Sequence, residues 1–128
     1  MAESKIIIPR VSDNPVEWTG YTFPSPFQQM DSEYSYVSVH GKICIFSLSF
    51  KYTSSGSTYT PADKAVFIEN MPIPKGNMIL SMSSYSGSDM KVGRAVINSS
   101  GQITNWYSGI KMYQYNPMII KGAYIIAD

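Results

Sequence analysis

The 128-residue chain is poor in the groups that carry most enzyme chemistry. A single cysteine, Cys44, excludes an intrachain disulfide framework. A single histidine, His40, leaves no His/Cys spacing from which a structural zinc site is built. Only 15% of the residues are charged, with a formal net charge of +1, and the lysines and arginines are scattered singly. That distribution offers no basic run to neutralise a phosphate backbone, so no nucleic-acid partner is expected. The longest apolar run near the start, Ile6-Ile7-Ile8, ends at Pro9, too short for a leader core or a membrane span. The expectation is therefore a chain without an export signal and without membrane insertion. No phosphate-cradling glycine motif and no nucleophile elbow occur.

The titratable groups that do occur have plain readings. Asp13, Asp31, Glu33, Asp63, Glu69 and Asp89 lie mostly in loop-like segments. Glycoside hydrolysis by paired carboxylates needs a set separation across a cleft, which nothing here fixes, so they read as solvated loop acids. His40 reads as a solvated turn residue and Cys44 as a buried thiol on the apolar face of a strand, with no neighbouring cation to activate it. Asn98-Ser99-Ser100 matches a glycosylation acceptor, but it equally fits a hairpin turn, which is preferred without a secretory context. No catalytic residue, no metal site and no cofactor is expected.

What is present points to an all-β chain. Nine glycines, eight prolines and ten tyrosines favour turns and strands over helices. Residues 42–52 form the main element. Period-two alternation puts Cys44, Phe46, Leu48, Phe50 and Tyr52 on one face and Ile45, Ser47, Ser49 and Lys51 on the other. A strand of roughly 35 Å follows, its even face in the core. Residues 34–39 alternate as a second strand, joined to it through a two-residue His40-Gly41 hairpin turn.

Further along, residues 53–58 read as a polar loop, and residues 60–63 as a capping threonine, proline and a single helical turn. Strands are expected over 65–68, 78–82, 92–97, 102–107 and 118–126. Residues 83–89 read as a serine-rich loop, 98–101 as a hairpin turn, and Gly122 as a bulge. Before the main strand, residues 16–19 form a short strand. The proline-spaced stretch 21–27 excludes a central strand and lays its aromatics against the body. About eight or nine strands predict an antiparallel β-sandwich or jelly roll in one domain. Residues 1–33 are an N-terminal extension with short strands and a proline-rich segment, and residues 34–128 the head.

The candidate site residues are aromatics beside small polar residues: Trp106 and Tyr107 near Gly109, Tyr85 in the serine-rich segment, and Tyr59 after another. Tyrosine with Ser, Gly and Asn is the mix binding loops favour, and an aromatic face suits the C–H face of a sugar ring. The competing reading places many of these rings in the core or in subunit contacts.

The order of features resembles the C-terminal head domains of bacteriophage and prophage tail fibres and baseplate receptor-binding proteins. The stretches that carry the likeness are Tyr36-Val37-Ser38-Val39 with His40-Gly41, the strand to Tyr52, and Met71-Pro72-Ile73-Pro74. The hairpin 92–104 and the closing strand Ile119 to Ile125 complete it. The resemblance implies a homotrimeric β-sandwich head on a virion that binds a host-surface glycan or protein without catalysis. The alternatives are a carbohydrate-binding module of a bacterial surface or secreted protein, and a purely structural trimerisation domain of a virion.

Overall fold

The computed structural model describes residues 15–30, 32–53, 58–86, 89–106, 112–113 and 117–128. The strands are β1 (Val16–Glu17), β2 (Phe27–Gln29), β3 (Tyr36–His40), β4 (Ile43–Tyr52), β5 (Thr58–Tyr59) and β6 (Val66–Ile68). They continue as β7 (Met78–Ser86), β8 (Asp89–Ile97), β9 (Ile103–Asn105), β10 (Met112–Tyr113) and β11 (Met118–Ile125), with one 3-10 turn at Ser32–Tyr34. The all-β, antiparallel architecture expected from the sequence is what forms. One sheet runs β1-β3-β4-β11-β7-β8-β9-β6, with β2 also on β4, and β5 pairs β10 in a separate ribbon.

The sheet curls until its ends meet. Thr22 and Glu69 exchange backbone hydrogen bonds at 3.0 and 2.8 Å, and the Trp18 indole N–H donates to the Asn70 carbonyl at 2.8 Å. The core fills the inside of the curl. Cys44, Phe46, Leu48, Phe50 and Tyr52 of β4 all point inward and are buried. Met118, Ile120 and Tyr124 of β11, Leu80 and Met82 of β7, and Phe67 and Ile68 of β6 join them. Phe50 of β4 and Phe67 of β6 lie 5.4 Å apart between centroids, and Phe27 meets Phe67 edge-on at 5.1 Å. Each buried ring contributes on the order of 2 kcal/mol, and such pairs add about 0.5–1.5 kcal/mol. These contacts tie β6, at one end of the strand order, to β4 and β2 across the core. Tyr21 and Phe23 pack against the same core, as their proline-spaced segment suggested.

Five local expectations change. The two-residue turn is Gly41-Lys42, because His40 pairs with Ile43 inside the ladder and Gly41 takes φ +62°. His40 shares a 2.7 Å hydrogen bond with Ser38 Oγ. Residues 60–63 form no helical turn; a tight turn leaves Lys64 at φ +66°, which a right-handed helix forbids. Residues 83–86 are strand, since Ser83 to Ser86 pair with Val92 to Asp89. Gly122 is no bulge: β11 and β4 stay in register from Met118↔Phe50 to Ile125↔Ile43. A Cβ at Gly122 would lie 3.2 Å from Leu80 Cδ2, so the glycine makes room for Leu80 and Phe46.

The fifth change is on the outward face of β4, where Ser49 is buried. β2, the 3-10 turn and β3 run in succession along one edge of β4. Where they break, Met30 N–H donates to the Ser49 carbonyl, and Ser49 N–H donates to Ser35 Oγ at 3.1 Å.

Candidate functional site

The β8–β9 hairpin shapes one wall of a cleft. Asn98 Oδ1 accepts from the Ser100 and Gln102 N–H groups at 3.0 and 3.1 Å, as an Asx residue does at the head of a turn. Gly101 sits at φ +73° in that turn. Asn98 Nδ2 donates to Gln102 Oε1 at 3.2 Å, which orients the Gln102 carboxamide at the rim.

The facing wall is the turn before β6. Asn105 is buried and donates through Nδ2 to the Pro61 and Ala62 carbonyls at 3.1 and 3.0 Å. Its backbone carbonyl accepts from Lys64 N–H at 2.8 Å, and its N–H donates to the Ala65 carbonyl at 2.8 Å. These bonds fix Asp63 and Lys64 at the mouth.

Trp106 completes the site. Its N–H donates to the Arg94 carbonyl at 3.1 Å, and the Arg94 guanidinium lies 5.4 Å from its ring centroid. That geometry is a cation–π contact. Trp106, Gln102, Asn98, Asn77, Lys64 and Asp63 line an open cleft of about 530 Å³, floored by the cross-strand partners Val96 and Thr104. Its volume falls in the range of small-ligand sites. A half-buried indole beside amides offers a flat apolar face with hydrogen-bonding groups around it.

The groups whose protonation is shifted lie elsewhere. Burial pushes the Cys44 thiol up, opposed by a hydrogen bond with Tyr124. Burial also pushes the Tyr124 phenol up, and the contact with Cys44 adds to it. Neither residue lines the cleft. Tyr124 O–H donates to the Pro72 carbonyl at 2.7 Å, a structural bond beneath the segment that flanks β11.

Of the four aromatics singled out from sequence, Trp106 lines the cleft. Tyr85 stands in β7 opposite Met90, and Tyr59 in β5 opposite Met112, so both belong to strands. Tyr107 lies outside the described residues. Sequence reasoning passed over Asn98, Gln102, Asn105 and Lys64. The available signal was the Asn98-to-Gln102 turn itself, whose rim residues follow directly once the hairpin is drawn.

A second, shallower groove of about 690 Å³ lies on the outward face, between Tyr34 and Tyr36 on one flank and Lys121 and Ala123 on the other. Ile43, Ile45 and Ile125 continue this face, and all three are exposed. Among the described residues no helix is long and apolar enough to cross a membrane. No family model, no curated protein and no solved structure matches this chain.

Proposed function

We propose that the chain is a non-enzymatic attachment domain of a phage or phage-like particle, and that it binds a host-surface glycan in the Trp106 cleft. The observation that carries this reading is the indole held against Arg94 in a cleft walled by Asn98, Gln102 and Asn77. An aromatic plate with fixed amides binds a sugar ring through its C–H face and its hydroxyls at once. The buried Asn105 ties the turn before β6 to β9, and Asn98 braces the hairpin wall, so the site is held in shape before ligand arrives.

Assembly as a homotrimer fits the outward face. Glu33 with Tyr34 on one flank and Lys121 on the other oppose in sign across an apolar strip that includes Ile45 and Ala123. Copies arranged about an axis parallel to β4 set one flank against the other, pairing those charges and covering the strip. Three copies would turn weak single-site binding into firm attachment by avidity.

Host-cell adsorption and a glycan array, with solution mass measured by light scattering, test the reading. Wild type is expected to bind at about three times 14.3 kDa. Trp106→Ala is expected to lower single-site affinity about tenfold, the effect of about 1.4 kcal/mol of stacking. Unchanged binding by Trp106→Ala overturns the site. A 14.3 kDa monomer that binds soluble oligosaccharide supports a free carbohydrate-binding module instead.

A further inference from the structure

One cation, Lys64, and one acid, Asp63, stand in the cleft's amide-rich lining, and a second cation, Arg94, lies beside it against the Trp106 ring. Lys64 lies at φ +66°, in the left-handed region where a residue with a Cβ is strained. Glycine would occupy the position without that strain. The turn nevertheless holds a lysine there, with its N–H on the Asn105 carbonyl at 2.8 Å and its side chain lining the cleft. Asn70, the other non-glycine residue in this region among those described, is of a type that tolerates it and needs no such account.

Arg94 supplies the second cation. It is exposed, and its guanidinium lies over the Trp106 ring at the edge of the cleft. Lys64 and Arg94 are each tied by a backbone hydrogen bond to the Asn105-Trp106 pair, Lys64 to the first residue and Arg94 to the second. Among the described residues Asp63 is the one acid at the cleft, and it is already engaged within the chain. The Gln102 amide nitrogen adds a further donor beside the oxygen that accepts from Asn98. A ligand in the cleft thus meets two positively charged side chains, Lys64 in the lining and Arg94 beside it, together with amide donors.

We propose that the cleft is built for an anionic saccharide, its acidic group received by Lys64 and Arg94 while the sugar ring lies along Trp106 and the amide wall. This rests on the glycan reading above and specifies its ligand class. The shared chemistry is an oxyanion on a sugar, supplied either by a uronic-acid carboxylate or by a phosphodiester. The strained turn is then a stability cost kept for a side chain that the ligand needs.

The test uses the full chain and three probes: a hexuronic-acid oligosaccharide, its neutral hexose counterpart and a glycerol-phosphate-linked glycan. Calorimetry at 50 mM and 500 mM salt reads affinity, and urea unfolding reads stability. An acidic probe is expected to bind at least tenfold tighter than the neutral one at low salt, with the preference shrinking at high salt. Whichever acidic probe binds tighter identifies the oxyanion. Lys64→Gly is expected to raise the unfolding midpoint and yet lose most of that preference, and Arg94→Gln to lose it without the gain in stability. Trp106-dependent binding with equal affinity for neutral and acidic probes overturns the charge assignment and leaves the glycan reading standing. Absence of binding by all three overturns both. Lys64→Gly that keeps the full preference overturns the role of Lys64.

Discussion

Two glycines with nearly the same backbone conformation separate the cost of a left-handed turn from the cost of a collision. At Gly41, with φ +62°, no described atom lies within 4 Å of where a Cβ would stand. At Gly101, with φ +73°, that carbon would fall 2.5 Å from the Met71 carbonyl oxygen. Both alanine variants meet the left-handed penalty of about 1–2 kcal/mol. Only Gly101→Ala must also push back the backbone of Met71, a buried residue. That shift strains the Met71 N–H to Gly101 carbonyl bond of 2.9 Å, whose net value is about 1 kcal/mol. Overpacking against main chain adds about 1 kcal/mol more. Gly101→Ala is therefore expected to lose about 2 kcal/mol beyond Gly41→Ala. With a urea m-value of about 2 kcal/mol/M, the difference is about 1 M in midpoint at constant slope. Equal midpoints for the two variants would refute the collision argument, because the backbone penalty alone is common to both.

Two further predictions concern buried polar groups. Ser49 Oγ is buried without a hydrogen-bond partner among the described residues, so Ser49→Ala is expected to be neutral or to stabilise by up to about 1 kcal/mol. Ser35→Ala removes the acceptor of the Ser49 N–H and is expected to cost about 1–2 kcal/mol in the same urea assay. The reverse order of the two variants would sink this account of the β2–β3 junction. The Cys44 thiol and Tyr124 phenol are both raised by burial, so the folded protein keeps protons that the unfolded chain releases near about pH 8.5 and pH 10. Their stabilising effect is complete below about pH 8 and is lost as pH rises through and beyond those values. Both contributions carry the same sign, so each makes stability fall as pH rises. Urea midpoints from about pH 7 to 11 should show this fall. A Cys44→Ala, Tyr124→Phe double variant should show a shallower one.

The parts of the fold that were legible in sequence are those where alternation meets a single inside. In β4 the inward positions Cys44 to Tyr52 follow the period-two pattern without exception, because every one of them faces the same enclosed core. Ser49 escaped that reading because its burial comes from a different cause, the break between β2 and β3, which is set by a strand elsewhere in the chain. The serine-rich residues 83–86 carry little strand propensity of their own. They are strand because Asp89 to Val92 and, for Ser83 and Ser84, β11 supply ladder partners. Gly122 looked like a bulge for want of knowing that Leu80 and Phe46 needed the space. Trp106, which lines the cleft, drew notice in the sequence through its ring beside small polar neighbours. Lys64 was not, since only the folded turn reveals its left-handed backbone.

The meeting of the sheet's two ends has a consequence for how the protein behaves in a crowd. Rows of unpaired N–H and C=O groups along an outer strand invite strands from other molecules to dock. Here the strands at the two ends of the order, β1 and β6, are two and three residues long. The exchange between Thr22 and Glu69, with the Trp18 indole on the Asn70 carbonyl, occupies backbone groups just beyond them. Along these two end strands, copies held side by side therefore find little described ribbon to share.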